Sequence, residues 1–575
     1  MEEIRSADHE AWPVRAAMLA ALGAVLGILM DLLLDGGNTN DPLRASAASF
    51  IAVGGIVFAF TLERVRWLWS VLFALGCGAV VALVFYWNGT PDGWSAGDGW
   101  RMFAAVLAVA IAVPLFQSVR DEGRWSLRAP EIHAHAWTNL VLWGAAWAFV
   151  LISFLLSQLL AELFNLIGIS LLRDAVRESW FVGIILGGAL GAAVGLLRDR
   201  GKVLGLLQRV VTTVLSVLAP VLAAGLVLFV LALPFTGLQP LWDKTSATTP
   251  ILLLAMAGAF FLANAVVGNS AEEEAKGRAL RFSAMALGAV MAPLAVVAAL
   301  STWLRIDQYG FTPERLWALV FVLVVLAVSL AYLWALVRGR FDWGRQLRPT
   351  NVRLALGICA VALLLATPLI NFGAISTRDQ IARLQSGRIA PDKFDWAALR
   401  FDFGPSGVSA LEALQRQGPP KLRQLAARAL RSQNRWALSE PTALAARADT
   451  IERRVRVLPR ALPLPEELRQ ALARANLCAA DDCTIIWQPG APEAVVVGFG
   501  CPECSARVNR FVLDSKGAWQ PAASEVLPPP IIRTTRDDEV QSQAQRRALA
   551  AGRAEIRQVQ RRQLFIEGKP VGGSF

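Results

Sequence analysis

The chain has 575 residues, of which 55% are hydrophobic and only 18% are charged, and its mean hydropathy is +0.46. Ordinary soluble domains carry about 25% charged residues, so this composition excludes a soluble globular protein and indicates a chain that lies largely in lipid. The net charge is +11, but the excess is uneven: up to Phe372 there are 26 basic and 24 acidic residues, and after it 30 and 21.

Eleven segments are long and apolar enough to cross a membrane. A hydrocarbon core about 30 Å thick needs roughly 20 apolar residues, because each helical residue rises about 1.5 Å. We expect an α-helical polytopic membrane bundle of about 11 transmembrane helices over residues 16–372, after a cytoplasmic segment at 1–15 and before a small soluble α+β domain at 373–575. The segments are 16–34, 45–62, 67–87, 102–116, 137–160, 180–197, 210–233, 249–268, 282–303, 316–337 and 354–372.

Basic residues in the short connections predict the orientation, because Lys and Arg are retained on the cytoplasmic side of a membrane. The amino end and every second connection carry 19 of them, whereas the opposite connections carry 7. We therefore expect a cytoplasmic amino terminus. An odd number of crossings then places everything after Phe372 in the periplasm.

The sequence after residue 372 predicts a domain with helices first and strands second. Apolar residues recur at helical spacing in 422–431 and 466–475. The segments "CTIIWQ", "EAVVVGFG" and "RVNRFVLDSKGAWQ" are rich in Val, Ile and aromatic residues, and "DSKG" is typical of a hairpin turn. A basic helix at 539–562 and a last hairpin in "QLFIEGKPVG" complete the expected α+β domain.

Four of the six cysteines lie close together in this tail: Cys478, Cys483, Cys501 and Cys504. In an oxidising periplasm they favour two disulfides, with three possible connectivities. In a cytoplasmic domain four thiolates at this spacing would favour a tetrahedral zinc site. A redox-active pair at the "CPEC" turn is a third alternative, which the strand-like sequence after Cys504 disfavours.

Ionisable and polar groups inside membrane spans are costly, so they are candidate functional positions. Asp31 lies near the outer end of the first span, where it would face either a water-filled cavity or the outer interface. Asn264 lies near the inner end of the eighth span, and we expect it to form a hydrogen bond to another helix.

A polar connection between the ninth and tenth spans contains the remaining candidates, Arg305, Asp307, Tyr309 and Arg315. Thr312, followed by Pro313 and Glu314, is typical of a helix N-cap. The two arginines have two alternative roles. Either they pair with Asp307 and Glu314, or they hold a phosphate or carboxylate group of a lipid or substrate.

The sequence contains little that resembles a known catalytic or metal-binding motif. Glu131, His133 and His135 alternate in "EIHAHAW", but they precede a span in an expected cytoplasmic loop with no third strong ligand nearby, so we expect no metal site. A GxSxG elbow, a Walker loop, an HExxH motif and a Rossmann glycine pattern are not found convincingly. We therefore expect no cofactor and no nucleic-acid partner.

Several stretches resemble a family of bacterial multi-pass membrane proteins called domain of unknown function 4153. They are "WPVRAAMLAALGAVLGI", "LFNLIGISLL", "LPFTGLQPLWDKTSATTPILLL", "FLANAVVGN", "LRIDQYGFTPERLWALV" and "LRFDFGPSGVSALEAL", which begin at residues 12, 163, 233, 261, 304 and 399. The resemblance implies an inner-membrane protein of many helices with an extracytoplasmic carboxyl-terminal domain. It implies no reaction, because the family has no established one.

The sequence leaves two main functional hypotheses. The first is a non-enzymatic protein of the bacterial inner membrane that transports, scaffolds or senses, with a basic periplasmic domain that contacts anionic lipid or an envelope protein. The alternative is a membrane-embedded enzyme acting on lipid-linked substrates, like a glycosyltransferase, which would need an acidic residue in an outer loop. Asp35 and Asp41 are the candidates in the first outer loop. A signalling role would require a partner protein.

Overall fold

A computed structural model of the chain divides into two compact units. The first comprises Met1–Arg388 and Ala398–Gln417, and the second Ile389–Ala397 and Gly418–Phe575. The first unit thus continues past residue 372, where the sequence placed the end of the bundle. The described residues are 12, 14–34, 41–89, 94, 97–238, 248–435, 438, 444, 447–448, 450–452, 455–458, 462–475, 477–478, 483–498, 507–515, 517–522, 543–549, 551–553, 564–566 and 569–571.

The first unit is a bundle of long apolar helices. Ten continuous helical stretches of the described residues are long and apolar enough to cross a membrane. The last of these, Pro313–Ala366, is divided by a 3-10 turn at Arg340–Asp342. The helices are α1 (Val14–Leu34), α2 (Pro42–Thr61), α3 (Trp67–Asn88), α4 (Asp98–Glu122), α5 (Ala129–Leu166), α6 (Leu171–Arg177), α7 (Ser179–Asp199), α8 (Gly201–Thr236), α9 (Thr248–Val267), α10 (Arg278–Tyr309), α11 (Pro313–Gly339), α12 (Trp343–Ala366), α13 (Phe372–Gln385), α14 (Trp396–Phe401) and α15 (Gly404–Gln417).

The two halves of the last apolar stretch, α11 and α12, run antiparallel. At one end, the rings of Tyr332 in α11 and Trp343 in α12 lie 6.2 Å apart, and at the other end Trp317 of α11 packs in one hydrophobic core with Leu365 and Ala366 of α12. Arg340 has a φ of 49°, so the backbone reverses at the 3-10 turn. Counted as two helices, the stretch brings the candidate crossings within the described residues to eleven, and the predicted helical bundle is confirmed.

Close backbone contact joins α1 and α7. A Cβ atom added at Gly187 would lie 2.1 Å from the carbonyl oxygen of Gly23, and one added at Gly183 would lie 2.7 Å from that of Gly27. The pairing of later residues of α1 with earlier residues of α7 makes the two helices antiparallel. In lipid, where apolar side chains gain little from association, small residues allow helices to approach and gain van der Waals contact.

Among the hydrophobic cores of the described bundle, two share α8. The first core joins α1–α5, α7 and the start of α8, around residues such as Leu19, Val57 and Leu142. The second joins the remainder of α8 with α9–α12, around residues such as Leu294 and Tyr332. The two helix groups therefore meet along a seam at which α12 packs against α4.

The second unit contains α16 (Pro420–Arg431), α17 (Glu466–Arg474) and a five-stranded sheet. The sheet has the order β1-β2-β3-β4-β5, in which β1 runs parallel to β2 and the other pairs are antiparallel. Its strands are β1 (Arg456–Leu458), β2 (Cys483–Ile486), β3 (Glu493–Gly498), β4 (Arg507–Leu513) and β5 (Trp519–Pro521), and a separate hairpin consists of β6 (Leu564–Ile566) and β7 (Lys569–Val571). The predicted helix-then-strand region is confirmed.

One disulfide is present in the second unit, between Cys478 and Cys483. It lies against the core that α17 and the sheet share, in which Leu468, Ile485 and Phe511 are fully buried. Cys501 and Cys504 lie outside the described residues, as does most of the predicted helix at 539–562, of which 543–549 is described and helical.

Candidate functional site

The polar connection predicted as a candidate site lies at the carboxyl end of α10 and is held by backbone contacts. Arg315 Nη1 donates to the carbonyl oxygens of Tyr309, at 3.2 Å, and Gly310, at 2.8 Å. The Arg315 guanidinium also lies 5.3 Å from the centre of the Tyr309 ring. Arg315 therefore bonds to the last carbonyls of α10 rather than to Glu314, and Thr312 caps α11 as predicted.

Helix α13 supplies side chains to this connection that sequence reasoning missed. Asp379 Oδ2 accepts from the Phe311 amide at 2.8 Å, and Gln380 Nε2 donates to the carbonyl of Tyr309 at 2.9 Å. Arg383 Nη2 donates to the carbonyl of Asp307 at 2.8 Å. The only signal in the sequence is the spacing of these three residues, which places them on one face of a helix. The cluster acts as a cap for α10, and anion binding by Arg305 and Arg315 stays a prediction.

Asp31 lies in the wall of a groove of about 470 Å³ that α1, α2 and α7 enclose. The groove is lined mainly by apolar side chains and by glycines of the close α1–α7 contact. Asp31 is at its end, near Leu34 and Ser179, and forms no ion pair with the residues that the structure describes.

In the enzyme hypothesis Asp41 was a candidate base, but its Oδ1 accepts from the Leu43 amide at 2.9 Å and so caps α2. Asp35 lies outside the described residues.

A cavity lies at the seam between the two helix groups. It has a volume of about 550 Å³ and is lined by α2, α4, α5 and α12; we call it the apolar cavity. Its amide-bearing wall residue, Asn139, donates to Gln117 Oε1 at 2.7 Å, and Gln117 Nε2 donates to the Phe60 carbonyl at 2.8 Å. Because these amides satisfy each other, the surface that a ligand would meet is apolar.

A smaller cavity of about 200 Å³ adjoins the apolar cavity and lies between α5, α9 and α12; we call it the polar pocket. The two cavities share the wall residues Ile132, Ala136, Leu140 and Ala355. The polar pocket differs in its lining, which brings together five hydrogen-bonding side chains: His133, Trp137, Asn264, Arg348 and Asn351.

Hydrogen bonds between helices fix two of these side chains. Asn264 Nδ2 donates to the Tyr332 hydroxyl at 2.6 Å, and Asn351 Nδ2 donates to Asn264 Oδ1 at 2.7 Å. The expected interhelical bond of Asn264 is therefore confirmed.

His133 and His135 lie in the first turns of α5, not in the loop that the sequence suggested, because α5 begins at Ala129 with proline at a favoured position in its first turn. His135 Nε2 lies 3.1 Å from Asp121 Oδ2. No group of three or more metal-ligating side chains occurs among the residues that the structure describes.

A family model described as "Domain of unknown function (DUF4153)" matches residues 47–414. The chain belongs to this family. The match extends from α2 to α15, so it includes both the apolar cavity and the polar pocket. No curated protein and no solved structure matches the chain.

Charged side chains cluster at the carboxyl end of α2. Glu63 accepts from Arg15 Nη2 at 2.8 Å and also pairs with Arg198, and Arg15 Nε lies 3.5 Å from Asp199 Oδ1. Their side chains are only 7% to 16% exposed. We call Arg15, Glu63, Arg198 and Asp199 the ionic cluster; it joins the ends of α1, α2 and α7 on one side of the bundle.

Proposed function

We propose that this family member is a non-enzymatic inner-membrane protein of the bacterial envelope that holds a chain of a membrane lipid in its apolar cavity. The apolar cavity is the observation that supports the proposal most directly. Its volume of about 550 Å³ is within the roughly 300–1,000 Å³ typical of small-molecule sites. Its wall is apolar, so a hydrocarbon chain fits it better than water does, since buried water needs polar partners.

The position of the cavity also favours a lipid as the occupant. Val106, Leu140 and Trp143 line it and are each more than a third exposed, so the cavity is open to the surroundings of the bundle. For a helix long and apolar enough to cross a membrane, those surroundings are acyl chains. A chain can therefore enter from the side without crossing water.

The same proposal places the basic second unit in the periplasm, where it contacts anionic lipid or an envelope protein. The bias of basic residues, 19 against 7 in alternate connections, supports that orientation. The Cys478–Cys483 disulfide supports it as well, since disulfides persist in oxidising compartments. The excess of basic residues after Phe372, 30 against 21, supports an anionic partner.

Lipid retention by the full-length protein tests the proposal. The protein is extracted in detergent, and the lipid that stays bound is measured by native mass spectrometry. Ala110→Phe places a ring in the wall of the apolar cavity and is expected to reduce bound lipid several-fold. Ala148→Phe, on an exposed face of α5 outside the cavity, is the matched control and is expected to retain it.

Two results would contradict lipid binding in the cavity: a wild-type protein that retains no lipid, or equal retention by both variants. Conversion of a bound lipid-linked molecule into product would contradict the non-enzymatic part and support the enzyme hypothesis instead.

A further inference from the structure

The polar pocket contains a buried hydrogen-bond acceptor that lacks a partner. Asn351 Nδ2 is engaged by Asn264, but Asn351 Oδ1 is buried and accepts no hydrogen bond from the described residues. An unpaired buried acceptor lowers the stability of a folded protein, and such acceptors are rare. We therefore expect Asn351 Oδ1 to have a hydrogen-bond donor. A ligand that donates a hydrogen bond in this pocket would supply it.

A donor with a fixed position lies in the same pocket. Trp137 Nε1 donates to His133 Nε2 at 2.7 Å. Because an indole nitrogen only donates, His133 Nε2 must accept, and the proton of the neutral ring is on Nδ1. His133 Nδ1 has no hydrogen-bond partner among the described side chains and backbone, so it is available to a ligand in the pocket.

Arg348 adds a positive charge to the wall of the pocket. Its Nη2 donates to the carbonyls of Val267, at 2.8 Å, and Ser270, at 2.9 Å, and it pairs with Glu274 at 3.1 Å. Arg348 Nη1 makes no hydrogen bond to the part of the chain that the structure describes. The hydrogen bonds of Nη2 therefore hold the guanidinium in place, and Nη1 is free to bind an anion.

The pocket lies near the ends of three of the apolar helices. His133 is in the first turns of α5, Arg348 is in the first turns of α12, and Asn264 is in the last turn of α9. All three helix ends are on the same side of the bundle. The apolar cavity continues from the shared wall toward the middle of α4 and α5, where an acyl chain would lie.

We propose that the polar pocket binds the headgroup of an anionic phospholipid that carries hydroxyl groups, of the phosphatidylglycerol class, while one acyl chain occupies the apolar cavity. A hydroxyl group both donates and accepts, so it pairs with Asn351 Oδ1 and His133 Nδ1 together. The phosphate forms a charge-assisted hydrogen bond with Arg348. This inference rests on the proposed function, because the chain in the adjoining cavity brings the headgroup to the pocket.

Binding of two lipids with identical chains tests the headgroup preference. Delipidated full-length protein in detergent is titrated with phosphatidylglycerol and with phosphatidylcholine, and the bound lipid is counted by native mass spectrometry. The wild-type protein is expected to bind phosphatidylglycerol more tightly. His133→Phe removes the Nδ1 donor and is expected to weaken that binding about tenfold while phosphatidylcholine binding stays the same.

His135→Phe is the matched control, because His135 is on the same helix but does not line the pocket. It is expected to bind both lipids like the wild type. Asn351→Leu removes the unpaired acceptor and is a second variant if His133→Phe does not fold. It is likewise expected to lose the preference for phosphatidylglycerol.

The outcomes separate this inference from the proposed function. Equal binding of both lipids by the wild type, or an unchanged preference in folded His133→Phe and Asn351→Leu, overturns the headgroup site while chain binding stands. If neither lipid binds, the proposed function fails. Tight binding of soluble glycerol 3-phosphate would show a site that needs no chain, and would overturn the inference that one lipid occupies both cavities.

Discussion

Several arginine side chains in the bundle bond to backbone carbonyls at helix ends. Arg198 and Arg120 donate to the last carbonyls of α2, Arg348 to those of α9, and Arg315 to those of α10. The last four carbonyls of a helix have no partner within it, and they form the negative end of the helix dipole. An arginine from another helix therefore donates hydrogen bonds to these carbonyls, and its positive charge interacts favourably with the negative end of the dipole. Both interactions stabilise the contact between the two helices.

Glu63 is the acidic residue on which the ionic cluster depends, since it pairs with both Arg15 and Arg198. Glu63→Gln leaves two mostly buried guanidinium groups facing each other. We expect it to lower the free energy of unfolding by about 3 kcal/mol, the lower end of the cost of breaking a buried pair. The measurement is thermal or denaturant unfolding of the purified protein in detergent.

The control for Glu63 is Glu162→Gln, which breaks a more exposed pair with Arg173 at 3.6 Å. Exposed pairs contribute about 1 kcal/mol or less. An equal loss of stability in the two variants would show that burial does not strengthen the ionic cluster.

At the scale of the element, close packing of α1 on α7 depends on glycine at defined positions. In Gly187→Leu the new Cβ would lie 2.1 Å from the Gly23 carbonyl oxygen, and backbone atoms cannot rotate away as a side chain can. The two helices must then separate. We expect a loss of about 3 kcal/mol, the upper part of the usual cost of overpacking, measured by unfolding in detergent.

Gly225→Leu is the matched control for that substitution, because no atom lies within 4 Å of a Cβ at Gly225, which is exposed in the middle of α8. It is expected to leave stability within about 1 kcal/mol of the wild type. Gly→Leu raises helix propensity in both variants, so an equal loss of stability in Gly225→Leu would show that the added bulk of the side chain, rather than contact between α1 and α7, explains the effect.

The sequence predicts elements better than it predicts what they bind. The length of an apolar segment indicates a span because the thickness of the lipid core sets that length, and segments rich in Val and Ile indicate β2 and β3. The helix ends are harder to predict. Helix α5 begins at Ala129, eight residues before the apolar run at Trp137, so His133 is a helical residue that lines a pocket instead of a loop residue. No pattern in one segment shows that α5, α9 and α12 will meet.

Contacts from distant segments explain the other differences. Charged residues near each other in sequence predict local ion pairs, as Arg315 and Glu314 do. The structure instead brings α13 to the end of α10, and its Asp379, Gln380 and Arg383 take the nearby backbone groups. The backbone carbonyls that accept hydrogen bonds from α13 depend on how the helices pack, which the local sequence does not show.

At the scale of the molecule, the turn at Arg340–Asp342 decides whether the number of candidate crossings is even or odd. If Pro313–Ala366 were one straight helix, the crossings would number ten and both termini would lie on the same side. Because α11 and α12 form an antiparallel pair, they count as two candidate crossings, and the total for the described bundle becomes eleven. The inner-membrane orientation proposed above then places the second unit in the periplasm.

Thiol labelling of intact cells tests that placement. A variant that keeps Cys478 and Cys483 but carries Ser at Cys77, Cys359, Cys501 and Cys504 is treated with a maleimide that cannot cross the inner membrane. We expect no labelling before reduction, because the two thiols form a disulfide, and labelling after reduction, because the reagent reaches the periplasm. Labelling only after the inner membrane is disrupted would place the second unit in the cytoplasm. It would also require one crossing fewer or more, and since glutathione keeps cytoplasmic thiols reduced, it would remove the physical basis for the disulfide.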